Sequence, residues 1–342
     1  MRALITGGCG FIGSHVVLAL VRDGWEVTNL DKLTYAANPR NLASIDQAAG
    51  YTFVHGDLCD APLVRDLTAG QDLVINFAAE THVDRSLLDP ATFARTDVEG
   101  VVSLLEAVRA DGRAAFIQMS TDEVFGSLPG GVEAAEDHPF APGSPYSASK
   151  AAAELMVRAY AETYGLPATI LRACNVFGPH QHIEKFIPLF ITRALAGEPM
   201  PLYGDGLQQR EWLFVDDLIE AVRLVVRTMP SVGLSRYNIG SGQRVANIEV
   251  ARQICVLTER PAELIRPVAD RPGHDRRYAL DSSRIRSLGW APKSTVAEGL
   301  ERTVAWYRSR PDQQASDGAF QEYFEAQYGH RLGGRDAGAT GR

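Results

Sequence analysis

A tyrosine and a lysine, Tyr146 and Lys150, stand four residues apart in the string SPYSASK. On a helix the spacing i, i+4 sets both side chains on one face. An ammonium beside a phenol lowers the phenol pKa towards the working pH. The phenolate can then take the proton of a substrate hydroxyl while hydride leaves for a nicotinamide. Upstream runs Ser120-Thr121-Asp122-Glu123-Val124-Phe125-Gly126. Oxidation alone needs neither of two adjacent carboxyl groups. Elimination of water uses both: one removes a C–H proton and the other protonates the departing hydroxyl. A plainer reading makes the same string a helix N-cap, with Asp122 and Glu123 favouring the dipole.

These groups must be held by a scaffold, and the first half of the chain spells one. Apolar strand-like runs at Ala3–Thr6, Glu26–Leu30, Phe53–Asp57, Leu73–Asn76, Ala115–Ser120 and Ala168–Arg172 alternate with helical segments at Phe11–Asp23, Val98–Arg109 and Tyr146–Tyr164. Such alternation predicts an α/β fold with a doubly wound parallel sheet, whose strand C-termini form the binding edge. The expected division is a Rossmann domain over 1–179 and a smaller C-terminal substrate-binding lobe over 180–330. Strand-like runs at Leu213–Val215 and Tyr237–Ile239 predict a return to the first domain around 212–240. The Gly-rich tail 331–342 is expected to be disordered.

A cofactor site opens the sequence. Gly7, Gly10 and Gly13 lie directly after the first strand and head a helix. The first permits a tight turn, the second lets a pyrophosphate approach backbone N–H groups, and the third lets helix pack on strand. Asp31 closes the second strand, about twenty residues on, where a carboxylate binds ribose hydroxyls and repels a 2′-phosphate. NAD is therefore expected rather than NADP. Asp57 and Leu58 are placed to meet the adenine, and Ala78 and Ala79 permit close approach. Phe11, Ile12, Lys32, Thr96 and Ser120, with Tyr146 and Lys150, complete the expected cofactor set.

The chain has 342 residues, 45% hydrophobic and 22% charged, with net charge -8. No basic stripe marks a nucleic-acid partner. No apolar run approaches the ~20 residues of a membrane helix. Cys9, Cys59, Cys174 and Cys255 show no metal-ligand spacing, so no metal is expected and reduced thiols in a cytoplasmic protein are. The acidity looks awkward for an anionic substrate, which the site must meet with local Arg and Lys. His15 and His55 are read as packed or surface residues, and Trp212, Trp290 and Trp306 as core or interface. His82 and Asp84 are expected near the cofactor pocket without a catalytic role.

The glycine fingerprint and the Tyr–Lys pair resemble the extended short-chain dehydrogenase/reductases. Within them the chain looks like the dTDP-glucose 4,6-dehydratases, through GGCGFIGSH, DKLTYAANPRNL, AAETHVDRS, STDEVFG, SPYSASKAAAE, GPHQHIEKFIPL, YGDGLQQREWLFVDD, YNIGS and DRPGHDRRYALD, across residues 7 to 281. The resemblance implies that Tyr146 is the base at the C4 hydroxyl, supported by Lys150, with Thr121 near O4. Glu123 would remove the C5 proton, Asp122 would protonate the leaving C6 hydroxyl, and hydride would return to C6. Asn175, Glu184, Lys185, Arg210, Asn247, Arg271 and His274 would hold the nucleotide-diphosphate hexose, with Arg210 and Arg271 at the diphosphate. It also implies a homodimer through the helices Val98–Arg109 and Tyr146–Tyr164. The sequence departs from the family pattern at Phe125, at Val176 and at Gln181-His182-Ile183, positions that the resemblance puts near the sugar or the nucleotide. Other chemistries on this fold are a UDP-sugar 4,6-dehydratase, a 4-epimerase and a UDP-glucuronate decarboxylase. An epimerase has no use for Asp122 and Glu123. A silent NAD-binding scaffold has no use for Tyr146 and Lys150 either.

Overall fold

In the computed structural model, residues 1–271, 273–310, 318–329 and 332 are described. Twelve strands run β1 (Arg2–Thr6), β2 (Glu26–Asp31), β3 (Tyr51–His55), β4 (Leu73–Asn76), β5 (Ala115–Thr121), β6 (Ala168–Ala173), β7 (Asn175–Phe177), β8 (Met200–Tyr203), β9 (Gln209–Phe214), β10 (Leu234–Ile239), β11 (Arg244–Ala246) and β12 (Ile265–Val268). Seven of them form one parallel sheet in the order β10-β6-β5-β4-β1-β2-β3. The order reverses between β1 and β4, and a crevice opens above the strand C-termini at such a switch point.

The central strands are buried on both faces, so they read as continuous apolar runs. Alternation survives in how they pack. Ile5, Ile75, Ile117 and Leu171 enter one hydrophobic cluster. Their neighbours Leu4, Val74, Phe116 and Ile170 enter another. Successive side chains point to opposite faces of a strand, so each face builds its own core. Helix α1 (Phe11–Arg22) covers the first face. Helices α2 (Ala61–Thr68), α3 (Val83–Leu88), α4 (Pro90–Ala94), α5 (Gly100–Asp111) and α6 (Pro145–Tyr164) follow in the chain, and α2, α5 and α6 cover the second face.

Beyond β6 the chain builds the smaller lobe from a three-stranded sheet, β11-β9-β7, and a two-stranded one, β12-β8. Helices α7 (Phe186–Ala196), α8 (Val215–Thr228) and α9 (Asn247–Thr258) have 11, 14 and 12 residues, against 12 in α1 and in α5 and 20 in α6, so only α6 fits the expectation of shorter helices after Pro179. The strand expected at Leu213–Val215 is β9. It pairs with β7 and β11 and stays out of the large sheet. The expected return is made by β10, the strand read at Tyr237–Ile239, which pairs with β6, and by α8, which packs on α1. The expected disordered tail lies outside the described residues except Leu332, which packs partly buried against the core. Among the described residues no helix is long and apolar enough to cross a membrane.

Helix α6 starts with Ser144 as N-cap in a capping box and Pro145 in its first turn, which suits a helix start. It is clamped to the sheet by a buried ion pair. Arg172 of β6 meets Glu154 at 2.6 Å, both side chains almost wholly buried. Arg172 also donates to the Glu136 carbonyl at 2.9 Å, and Ser120 donates to Glu154 at 2.5 Å. Removing one partner of a buried pair strands the other charge at about 3–5 kcal/mol. Arg172→Met is therefore expected to lower the unfolding free energy by that amount, read as a fall of the urea midpoint at unchanged m-value. An unchanged midpoint would count against the clamp.

Candidate active site

The turn after β1 is shaped by its glycines. Gly7 has φ +70°, and a Cβ there would stand 2.5 Å from the Ala78 nitrogen. A Cβ on Gly13 would meet the Gly7 carbonyl at 2.2 Å. Gly10 differs: its Cβ would meet only that carbonyl, at 3.2 Å, and otherwise point into open space. Gly10 caps α1 and lines a cavity of about 290 Å³. Phe11, Ile12, Asp31, Lys32, Asp57 and Leu58 line this cavity too. So do Ala78, Ala79, Thr96, Ser120, Tyr146 and Lys150. Asp31 accepts the Cys9 and Leu33 backbone N–H groups, both at 2.8 Å. Lys32 meets Asp57 at 2.8 Å.

A cradle that one Cβ would begin to fill, at a helix N-terminus with a fixed carboxylate beyond it, fits a dinucleotide. Gly10→Val is expected to fold normally and to purify without the dinucleotide, read from the absorbance ratio of the protein. Full occupancy of the variant would contradict the fit.

A second cavity, of about 160 Å³, is lined by Asn175, Glu184, Lys185, Arg210, Asn247, Arg271 and His274. Glu123, Asn175 and Lys185 line both cavities, so the two meet at Glu123, while Asp122 lines the first. Arg210 donates to the carbonyls of Gln209 and Asp275 and lies over the Tyr278 ring at 4.3 Å. Arg271 pairs with Asp84 at 3.2 Å. Lys185 donates to the Thr81 carbonyl at 2.5 Å, and burial brings its pKa down to about 8 against the pull of Glu123, Glu184 and Asp84. Asp122 Oδ2, Asn175 Oδ1, Asn247 Oδ1 and Arg271 Nε are buried without a partner. Orphaned polar atoms of this kind ask for a ligand.

Asp122 and Glu123 sit in a short turn, Asp122–Phe125, at the C-terminal end of β5. Thr121 caps it, accepting the Glu123 N–H at 3.2 Å, and its hydroxyl donates to Asp122 Oδ1 at 3.2 Å. The plain capping reading thus holds for Thr121, while Asp122 is buried and Glu123 half-buried in the cleft. Burial raises Asp122 well above the usual carboxylate range, and Glu123 and Glu211 add to it. Burial raises Glu123 too, but Arg271, Arg210 and Lys185 pull it back. Both carboxyl groups are thus held above their ordinary range, and the cations Arg271, Arg210 and Lys185 oppose the rise at Glu123.

Tyr146 is hydrogen-bonded to Thr121, which ties the phenol to the same turn. The expected lowering of its pKa by Lys150 is overturned. Burial, then Glu123, Asp97 and Asp122, hold the phenol well above its ordinary value. Burial also lowers Lys150, against the charges of Asp97 and Glu154.

Sequence reasoning missed Asp97, which lies in a π-helical turn, Arg95–Glu99, and accepts the Ser149 hydroxyl at 2.6 Å and the Glu80 N–H at 3.0 Å. An acid beside Thr96 was the signal. Asp84 and His82, expected near the cofactor pocket, line the second cavity. Trp212 is in the core as expected and lines that cavity too. Phe125, placed near the sugar by the resemblance, is a core residue whose ring packs 4.9 Å from the Arg172 guanidinium. The other departures, Val176, Gln181 and His182, do line the first cavity.

Residues 4–303 match the family model described as GDP-mannose 4,6 dehydratase. A dTDP-glucose 4,6-dehydratase of Streptomyces niveus is 46% identical over 90% of this chain and 93% of its own. The chain belongs to this family. Its fold superposes on a dTDP-glucose 4,6-dehydratase from Streptomyces venezuelae, crystallised with NAD, at TM-score 0.88 and 44% identity, covering 91% and 98% of the two chains. A UDP-glucose 4-epimerase from Thermus thermophilus, also a complex with NAD, matches at TM-score 0.82 and 34% identity, over 90% and 99%. The fold is thus common to dehydratases and epimerases.

Proposed function

We propose that this chain binds NAD and converts dTDP-glucose to dTDP-4-keto-6-deoxy-glucose. The observation that carries the reading is the placing of two neighbouring carboxyl groups, Asp122 and Glu123, in the turn at the C-terminal end of β5, lining the same cavity as Tyr146 and Lys150. Gly10, Asp31, Thr96 and Lys150 would hold NAD, which supplies oxidation at C4 and the later reduction at C6. Tyr146 takes the proton of the C4 hydroxyl as its phenolate, which the Lys150 ammonium and the positive charge of bound NAD would favour against the carboxyl groups around it, while Thr121 holds that oxygen. A ketone at C4 acidifies the C5 proton, and Glu123 removes it. Asp122 gives its proton to the C6 hydroxyl, which leaves as water. Glu123 then returns a proton to C5. Arg210 and Arg271 neutralise the diphosphate, which answers the acidity of the chain as a whole.

Purified protein with dTDP-glucose and no added NAD is expected to give a product lighter by one water in mass spectrometry. An unchanged mass would remove the substrate assignment. An isomer of equal mass would favour epimerisation, and carbon dioxide loss from UDP-glucuronate would favour decarboxylation. The chain is further proposed to work in the cytoplasm, where nucleotide sugars and NAD are made. It is proposed to do so as a homodimer through α5 and α6, where Leu155 and Tyr164 leave apolar surface half-exposed. A light-scattering mass of one chain would overturn the dimer.

A further inference from the structure

The chain leaves β6 through β7 and turns at once into Gly178-Pro179-His180-Gln181-His182. Gln181 and His182 line the first cavity together with Cys174, Asn175 and Val176. The amide of Gln181 has one end engaged. Its Nε2 donates to the Val176 carbonyl at 3.0 Å. A carbonyl only accepts, so the amide end turned to it is the NH2 group and the other end is the oxygen. That oxygen, Gln181 Oε1, is buried and has no partner among the described residues.

The loop leaves this oxygen little room to move. On one side of it, His180 donates from Nδ1 to Asn41 Oδ1 at 2.8 Å, and its ring centroid lies 4.7 Å from that of Trp306. His180 has φ +67°, a conformation that a non-glycine residue keeps only where its surroundings fix it. On the other side, His182 accepts the Glu184 N–H at 3.4 Å and meets the Tyr35 ring edge-on at 5.8 Å. Between them the Gln181 backbone carbonyl accepts the Tyr307 hydroxyl. An acceptor held on all sides in this way loses little freedom when it meets a donor of a ligand.

The sheet order tells which part of a dinucleotide lies beside it. Asp31 closes β2 and marks the ribose end. Tyr146 is tied to Thr121 at the end of β5, and hydride must pass there. β6 is the next strand beyond β5, away from β2, so the Val176 and Gln181 that follow it stand on the nicotinamide side. Val176, where the chain departs from the family pattern, offers only an apolar side chain to the cavity. The nicotinamide ring carries one hydrogen-bond donor, the NH2 of its carboxamide. We infer that Gln181 is a further cofactor-binding residue, whose amide oxygen accepts that carboxamide N–H. The inference rests on the NAD reading above. Hydride leaves C4 and returns to C6 in the proposed reaction, and a ring held by its carboxamide keeps one orientation for both.

The test uses the purified full chain with its bound dinucleotide. The protein is equilibrated with an equal mixture of NAD and acetylpyridine adenine dinucleotide, in which a methyl group replaces the carboxamide NH2. The bound ratio is then read by chromatography after denaturation. The unaltered chain is expected to favour NAD by at least about tenfold, the effect of leaving a buried acceptor unmet. Gln181→Leu should lose about tenfold of that preference. Gln181→Met keeps the length of the side chain without the amide, and it decides alone if Gln181→Leu does not fold. A preference unchanged in these variants overturns the inference. So does a lower dinucleotide content at unchanged preference, since the amide would then meet another part of the cofactor. A preference lost as expected, in a chain that removes no water from dTDP-glucose, keeps the inference and removes the proposed reaction. An unaltered chain that binds neither dinucleotide removes both.

Discussion

Glu123→Gln is expected to slow water loss from dTDP-glucose by about 10²–10⁴-fold, the usual worth of a positioned acid or base. Asp122→Asn should slow it by a similar factor for a different reason. In heavy water the two part company. Asp122→Asn keeps the base, so substrate should exchange its C5 hydrogen for deuterium while the C6 hydroxyl stays. Glu123→Gln should show neither exchange nor loss. Exchange in Glu123→Gln would exchange the two roles. Groups that act on one elimination are not additive, so the double variant should be about as slow as the slower single one.

The same asymmetry sets the pH dependence. Glu123 works ionised, so the rate falls as pH drops through its pKa. That pKa is raised by burial, which puts the acid limb above the ordinary glutamate range. Asp122 works protonated, so the rate falls as pH rises through its own, more strongly raised pKa. Arg271 pulls Glu123 down, and its neutralisation in Arg271→Met should move the acid limb upward. An acid limb that stays put in that variant would mean another group titrates there.

Sequence and structure agree where a residue's job is local. β1 and β4 are short apolar runs closed by glycine or small residues, and they were read within a residue of their bounds. The glycine turn and the Tyr–Lys pair are fixed by spacing on one element, so their place in the cleft followed from the sequence. β3 was read two residues late because it is the sheet edge, half-exposed along its length, and lacks the buried-strand pattern. β9 was read short and assigned to the wrong sheet. It begins with Gln209, Arg210 and Glu211, and the buried Arg210 and Glu211 hide the apolar pattern. Arg210 is polar because it faces the cleft, so the chemistry itself erased the strand's signature. Asp97 was out of reach for another reason, and so was the partner of Asp84, which the sequence places only near the cofactor pocket. Each acid meets a group from a distant segment, Ser149 and Arg271, and no spacing records that meeting. Phe125 shows the limit of likeness: a motif position does not say which way a side chain points.

The second large effect is expected from Tyr146→Phe, with kcat down about 10²–10⁴-fold. The ring that packs edge-on against Phe93 at 6.2 Å is kept, so the fold should hold. Only the hydroxyl bound to Thr121 is lost. That hydroxyl sits among Glu123, Asp97 and Asp122, which hold its proton on. Three carboxyl groups make the phenolate costly, and a neutral Asp122 lightens that cost. The proton state that suits the elimination therefore also suits the base. Oxidation at C4 comes before acidity at C5, so Tyr146→Phe should abolish deuterium exchange as well as water loss. Exchange persisting in Tyr146→Phe would give the C4 proton to another group. The order of steps also predicts that Tyr146→Phe with Asp122→Asn is no slower than Tyr146→Phe alone. A further fall in the double variant would mean that Asp122 already acts on the oxidation, through the Thr121 hydroxyl that it shares with the phenol.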